Sequence, residues 1–207
     1  MEYKFRSEQN NGSKQTGYML FALFLLAAIL IWGLKLNQVL FYKINHFHTL
    51  LPDAVWQAAN IIAYTKFAIL PIILLLLTFL FRRNKIFNVI LAILLFFVIF
   101  IGLKRFFGEA RPIAVLPQGS FFWLNFVRES SLSNNYMSFP SGHTGNMAIF
   151  VFSLMSLFFP SSKFARLVLF LLLVFVGLAR ICTGWHWPLD VLISGMLGYL
   201  IVKVARV

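Results

Sequence analysis

Long apolar runs dominate this sequence and constrain its fold more than any other feature. The runs over residues 20–32, 69–81 and 86–103 contain no charged side chain. A soluble domain of this length has no core large enough to hide such runs, whereas about 20 apolar residues in a helix span a bilayer. The composition agrees, since 60% of the 207 residues are hydrophobic and 12% are charged. The sequence therefore predicts an integral membrane protein and excludes a soluble one.

The apolar runs predict an all-α bundle of six membrane-spanning helices. Residues 1–16 are polar and are predicted to be a cytoplasmic tail, and residues 17–207 are predicted to form one membrane domain. No small-x-small cleavage site follows the first run, which favours an uncleaved span over a signal peptide. The predicted spans are 17–36, 60–81, 86–103, 141–160, 165–180 and 187–204.

The basic residues indicate both the orientation and the surroundings of the chain. The net charge of +12 comes from 18 Lys and Arg against 6 Asp and Glu, but no basic tract of the kind that binds nucleic acid occurs. Basic residues lie mostly at the ends of apolar runs, where they contact anionic lipid headgroups. A modest excess on the side of the termini predicts cytoplasmic N- and C-termini in a bacterial-type inner membrane, with the inverted topology as the alternative.

Polar residues gather at one face of the predicted bundle. In a six-span chain, the end of span three, the start of span four, the end of span five and the start of span six share one membrane face. Ionisable residues at the ends of spans are expensive unless they are paired or functional. The sequence thus predicts a site at the outer face. Its members are Lys104, Arg111, Ser141, Gly142, His143, Arg180, His186 and Asp190.

Each part of this cluster suits an anion, although each also has an ordinary structural explanation. Lys104 and Arg111 lie seven residues apart, on one face of a helix if span three continues, where two cations suit a phosphate. Snorkelling side chains at a span end are the alternative. Residues 140–143 favour the start of a helix, whose free N–H groups bind anions. An ordinary capped helix explains the same four residues.

His186 and Asp190 have the spacing of a histidine paired with a carboxylate. They lie four residues apart, and Pro188 between them is typical of the first turn of a helix. A carboxylate bonded to one ring nitrogen fixes the tautomer and leaves the lone pair of the other nitrogen free to attack.

Together these segments resemble the signature of the type 2 phosphatidic acid phosphatase family, whose superfamily includes the vanadium haloperoxidases. The first part, lysine, six residues and Arg-Pro, matches residues 104–112, and the second, Pro-Ser-Gly-His, matches residues 140–143. The third, Ser-Arg, five residues, histidine, three residues and aspartate, matches residues 179–190 except that Ala179 replaces the serine. From this departure we expect reduced or altered phosphate contacts rather than inactivity.

The resemblance implies a role for each matched residue. His186 is implied to be a nucleophile that forms a phosphohistidine, Asp190 orients it, and His143 protonates the leaving oxygen. Cationic groups would supply the electrostatic stabilisation that metal ions give other phosphatases, so no metal and no other cofactor is implied. The implied phosphate ligands are Lys104, Arg111, Ser141, Gly142 and Arg180.

The implied activity is hydrolysis of a phosphomonoester or pyrophosphate on a membrane lipid. Undecaprenyl diphosphate, phosphatidylglycerol phosphate, phosphatidic acid and the phosphates of lipid A are the substrates that the resemblance offers. Phosphoryl transfer from a lipid pyrophosphate to another lipid is one alternative, and non-catalytic binding of a lipid phosphate is another. A channel or transporter is disfavoured, because the centres of spans three to six are almost purely apolar.

Overall fold

The computed structural model describes residues 22–23, 25–65, 68–124 and 135–207, and the regular elements in these ranges are all helical. The all-α expectation is therefore confirmed for the described residues, while the predicted tail 1–16 lies outside them. The chain divides into two compact units, Met1–Leu36 and Asn37–Val207. The first unit contributes helix α1 (Leu25–Gly33), whose large apolar side chains are mostly exposed.

The second unit contains the remaining described helices. Two short 3₁₀ segments, His46–Leu50 and Arg83–Lys85, lie between them. The helices are α2 (Asn37–Asn45), α3 (Asp53–Ile62), α4 (Ile69–Phe81), α5 (Ile86–Phe107), α6 (Pro112–Val115), α7 (Gly142–Leu157), α8 (Lys163–Cys182) and α9 (Pro188–Val204).

Several of these helices have the length and composition of membrane spans. Within the described residues, two helical stretches, Arg83–Val115 and Lys163–Cys182, are long and apolar enough to cross a membrane. The number becomes three if Leu25–Gly33 and Asn37–Leu50 are counted as one broken span. Helices α7 and α9 have 16 and 17 residues, and at 1.5 Å per residue they reach about 24–26 Å, short of a hydrocarbon layer of about 30 Å. Six spans therefore remain a prediction.

The predicted span 60–81 is not one helix, so this boundary was wrong. Helix α3 ends at Ile62, and α4 begins only at Ile69. Ala68 precedes α4 with a φ of 51°, a left-handed conformation that a continuous helix does not contain. Pro71 follows in the first turn of α4, where a missing N–H breaks no helical hydrogen bond.

Helix α7 lies at the centre of the second unit. It packs against α4, α5, α8 and α9, and most of its residues are buried. Large apolar side chains on α4, α5 and α8 instead point outward, which suits a surface in contact with lipid. The core that α7 helps to form includes Leu74, Val89, Phe96, Phe100, Ile149 and Ile201.

Small residues allow α7 and α9 to approach closely. A Cβ atom added at Gly198 would lie 2.4 Å from the Cβ of Ala148 on α7, far inside van der Waals contact. A Cβ atom added at Gly195, one turn earlier on α9, would meet no atom within 4 Å. Of these two glycines, Gly198 is therefore the one that lies at the close contact between the helices.

The substitution Gly198→Ala is expected to destabilise the protein by about 1–3 kcal/mol, because α7 and α9 must separate to admit the methyl group. Gly195→Ala is the matched control, and its stability should stay equal or rise slightly, since alanine favours the helix. Thermal unfolding of both variants in detergent, followed by circular dichroism, measures the difference. Equal unfolding temperatures for the two variants would contradict the close helix contact.

Candidate active site

The predicted site residues come together where four helices begin or end. Lys104 lies in the last turn of α5, and Ser141 is the residue before α7. Arg180 lies in the last turn of α8, and Asp190 lies in the first turn of α9. The charges of Lys104, Arg111 and Arg180 act on both His143 and His186. The clustering expected from the span order is therefore present in the described structure.

His186 and Asp190 form a buried pair. The Nδ1 atom of His186 lies 3.2 Å from Oδ2 of Asp190, and the two residues are 1% and 0% exposed. The same oxygen accepts hydrogen bonds from the Trp187 N–H at 3.0 Å and from the Ser138 hydroxyl at 2.5 Å. This pairing favours a proton on Nδ1 of His186, which leaves the lone pair on Nε2.

The His186 imidazole is held neutral by its surroundings. Burial and the positive charges of Arg111 and Arg180 lower the pKa of His186 well below its usual value. The Nε2 atom lies 3.1 Å from an Nη atom of Arg111, which donates a hydrogen bond to it. An oxyanion bound by Arg111 would thus lie beside the unprotonated nitrogen of His186.

Both arginines are fixed by the turn between α8 and α9. Arg111 donates to the Trp185 carbonyl at 2.9 Å and to the Met137 carbonyl at 3.4 Å. The centre of the Trp185 ring lies 5.4 Å from the guanidinium carbon of Arg111 and 5.4 Å from that of Arg180. One indole therefore orients two guanidinium groups, since its face attracts cations.

Arg180 also bonds to a residue that the sequence reasoning did not select. It donates a hydrogen bond to Oδ1 of Asn60, whose own amide group donates to the Trp56 carbonyl at 2.7 Å. Asn60 lies on α3 and is fully buried. The signal available in the sequence was an amide at the start of an apolar stretch, because a buried amide requires partners.

Ala179, at the position of the signature serine, lies in an apolar environment. Its side chain is fully buried in a cluster with Trp56, Ala59 and Cys182. A methyl group satisfies this packing without a hydrogen-bond partner. Asn60, from the same helix as Trp56 and Ala59, supplies the polar contact to the neighbouring Arg180.

The start of α7 offers polar hydrogen atoms to the same space. Ser141 has extended backbone angles ahead of the helix, and its hydroxyl accepts a hydrogen bond from Thr144 at 3.1 Å. The first N–H groups of a helix have no partner within it, so the Gly142 amide is available to an anion. A Cβ atom at Gly142 would lie 3.9 Å from Cε of Lys104, which places that ammonium group nearby.

His143 lies in the first turn of α7 and is 8% exposed. Its buried Nε2 atom has no hydrogen-bond partner among the residues that the structure describes. The Tyr64 ring lies 5.4 Å from the imidazole, between centroids. A buried ring nitrogen in this state is suited to exchange a proton with a bound group.

The connection that carries His186 is held by a glycine and a buried asparagine. Gly184 has a φ of 76°, and a Cβ atom there would lie 2.7 Å from the Phe122 carbonyl oxygen. Asn45 donates to the carbonyl groups of Phe122 and Cys182, at 2.9 and 3.0 Å. The turn therefore requires glycine and is fixed against the segment that precedes residue 125.

Two further residues of the site, Ser138 and Glu109, were not selected from the sequence. Ser138 lies two residues before Pro140 and is fully buried against Asp190. Glu109 lies in the non-helical segment between α5 and α6, and its carboxyl group interacts with Asp190. Within the described ranges, no group of three or more His, Cys, Asp and Glu side chains is arranged to hold a metal ion.

Comparison with protein families agrees with the layout of the site. A family model described as the PAP2 superfamily matches residues 85–207, which include the segments that carry all of the predicted site residues. The chain belongs to the PAP2 superfamily, as the resemblance implied, and its apolar helices agree with the membrane character of related proteins.

Two similar sequences are lipid A 1-phosphatases. The protein from Rhizobium johnstonii is 34% identical over 106 residues, which are 49% of this chain and 40% of that protein. The protein from Rhizobium etli is 32% identical over 90 residues, which are 44% of this chain and 35% of that protein. The matched segments thus span less than half the length of both relatives.

Two solved structures share the fold. The crystal structure of Aquifex aeolicus LpxE has a TM-score of 0.65 and 29% identity, over 83% of this chain and 94% of that one. A transmembrane PAP2 type phosphatidylglycerolphosphate phosphatase from Bacillus subtilis has a TM-score of 0.64 and 24% identity, over 91% of this chain and 93% of that one.

Proposed function

We propose that this protein is an integral-membrane phosphatase that hydrolyses a phosphomonoester or pyrophosphate of a membrane lipid through a phosphohistidine. The observation that carries the proposal is the environment of His186. Its Nδ1 atom lies 3.2 Å from Oδ2 of Asp190, and its Nε2 atom lies 3.1 Å from an Nη atom of Arg111. An unprotonated Nε2 atom beside a guanidinium group that can hold a phosphate supports nucleophilic attack on phosphorus.

Substrate binding uses the cations around His186. Lys104, Arg111 and Arg180 supply three positive charges against the one carboxylate of Asp190, and the Gly142 amide supplies a neutral donor. Charge on the transferring phosphoryl group is spread over its equatorial oxygens, so donors on several sides stabilise the transition state. This support comes from protein cations, and on that basis the reaction is proposed to need no metal.

The reaction proceeds in two displacements. The Nε2 lone pair of His186 forms a bond to phosphorus while the bond from phosphorus to the leaving oxygen breaks. His143, in the imidazolium form that the bound phosphate anion stabilises, gives that oxygen a proton. His143 then takes a proton from water, whose oxygen attacks phosphorus as the N–P bond breaks. The products are the dephosphorylated lipid, inorganic phosphate and the starting imidazole.

The substrate is proposed to be a lipid, because exposed apolar side chains on α5 and α8 keep the bundle in a bilayer while the site lies at helix ends. A lipid phosphate can then enter at headgroup depth with its chains still in the membrane. Lipid A phosphates and phosphatidylglycerol phosphate are the first substrates to test, since similar proteins carry these names. An outward-facing site with cytoplasmic termini belongs to the same proposal.

Release of inorganic phosphate by the purified protein in detergent tests the function. The panel contains lipid A, phosphatidylglycerol phosphate, phosphatidic acid and undecaprenyl diphosphate, each with excess chelator and, in parallel, with added Mg²⁺. We expect release from at least one lipid at rates that agree within about twofold with and without chelator. Loss of release in chelator alone would contradict the metal-free mechanism, and no release from any lipid would contradict the hydrolase.

A further inference from the structure

The carboxylate of Asp190 has one oxygen that the His186 pair leaves unused. Oδ2 accepts hydrogen bonds from His186, Trp187 and Ser138. Oδ1 is buried and has no hydrogen-bond partner within the described part of the chain. A buried carboxylate oxygen without a donor is costly, so a group that supplies a proton at this position stabilises the pair.

Glu109 is placed beside Asp190 by the backbone of Ser138. The Ser138 N–H donates to the Glu109 carbonyl at 2.9 Å, while the Ser138 hydroxyl donates to Asp190 at 2.5 Å. Ser138 thus forms hydrogen bonds to both acidic residues, one through its backbone and one through its side chain. The Glu109 side chain is half-buried and lies near enough to Asp190 for a side-chain hydrogen bond and a charge interaction.

We propose that Glu109 is a positioning residue whose protonated carboxyl group donates a hydrogen bond to Oδ1 of Asp190. The proton keeps a single negative charge on the pair of carboxyl groups and holds Asp190 in line with His186. Ionisation of Glu109 removes the donor and places a second negative charge beside the phosphate site. The inference rests on the proposed function, in which Asp190 and His186 are the catalytic pair.

The direction of this titration follows from the surroundings of Glu109. Burial, the charge of Asp190 and the hydrogen bond to Asp190 raise the pKa of Glu109 from 4.5 to about 8. Glu109 therefore remains protonated at neutral pH and ionises as the pH rises through about 8. Two carboxyl groups in contact do not both ionise readily, because like charges repel.

Several charged or titratable side chains besides Glu109 surround the carboxyl pair, and a Glu109 variant retains all of them. Their own ionisation is common to both proteins, so a difference between the two pH profiles reports Glu109. The second ionisation of a phosphomonoester substrate has a pKa of about 6, so it changes little between pH 7 and pH 9. The groups are Lys104 on α5, Arg111 after it, His143 on α7, Arg180 on α8 and His186 before α9.

The test compares kcat/KM at pH 7 and pH 9 for the wild type, Glu109→Gln and Glu109→Ala. We expect kcat/KM of the wild type to fall about tenfold between pH 7 and pH 9. For Glu109→Gln, whose side chain is a neutral donor at both pH values, kcat/KM should fall less than about twofold. At pH 7, kcat/KM of Glu109→Gln should exceed that of Glu109→Ala, because alanine has no hydrogen-bond donor. Asp53→Asn, on an exposed carboxylate in the first turn of α3, is the control and should follow the wild-type profile.

A spectroscopic titration keeps the inference separate from the proposed function, because it needs no substrate. Infrared spectra of the purified protein should show the C=O band of a protonated carboxylic acid that disappears near pH 8 and is absent from Glu109→Gln. Absence of this band between pH 6 and 7 in the wild type would overturn the inference, as would identical pH profiles for wild type and Glu109→Gln. A wild type that hydrolyses no lipid phosphate would overturn the function, while the band would still decide the carboxyl pair.

Discussion

Replacement of His186 with alanine is expected to lower phosphate release by at least about 10⁴-fold, because the proposed reaction has no other attacking nitrogen in place. Lipid binding should persist, since Lys104, Arg111 and Arg180 remain. Single-turnover release with the preferred lipid measures the loss. His46→Ala is the matched control, because His46 is exposed at the start of a 3₁₀ segment, and its rate should equal that of the wild type.

The covalent intermediate gives a second measure of the same prediction. Wild-type protein quenched during turnover of a ³²P-labelled lipid should carry label with the acid lability and base stability of an N–P bond. His186→Ala should carry none. Release that survives the substitution, or label that resists acid in the wild type, would show that His186 is not the nucleophile.

Replacement of Asp190 with asparagine is expected to lower kcat by about 10³–10⁴-fold. The asparagine amide resembles the carboxylate in shape but carries no negative charge. It therefore holds the proton on Nδ1 of His186 less strongly, and it does not stabilise the positive charge that the imidazole gains as the N–P bond forms. KM should change far less than kcat, because the phosphate ligands are untouched.

Asp53→Asn is the matched control for this substitution as well, because it removes an exposed carboxylate in the first turn of α3 that is not among the site residues. Steady-state kinetics on the preferred lipid separate the two parameters. A fall of less than tenfold in Asp190→Asn would show that the carboxylate does not set the tautomer.

The sequence was sufficient to predict which ends of the helices would meet. Hydropathy located the runs that became α5, α7, α8 and α9, and alternation across the membrane then placed their ends at a common face. Residues such as Lys104 and Arg180 were conspicuous because charge at the end of an apolar run is expensive. The His186–Asp190 contact followed from the four-residue spacing at a helix start, and the structure contains it at 3.2 Å.

Contacts between distant segments were not available from the sequence. Glu109 and Asp190 lie far apart in the chain, and no local period links them. Asn60 meets Arg180 only because α3 packs against α8. The break between α3 and α4 was missed for a related reason: hydropathy averages over a window and does not register one residue, Ala68, with a left-handed backbone.

The turn before α9 explains why Arg180 and His186 stand six positions apart. The Arg180 carbonyl accepts hydrogen bonds from the N–H groups of both Trp185 and His186, at 3.0 and 3.2 Å. These two hydrogen bonds close a loop over residues 180–186, so the number of residues in the loop sets the interval between Arg180 and His186. An inserted or deleted residue would open that loop and separate the phosphate ligand from the nucleophile, so the spacing in the signature is itself a dimension of the site.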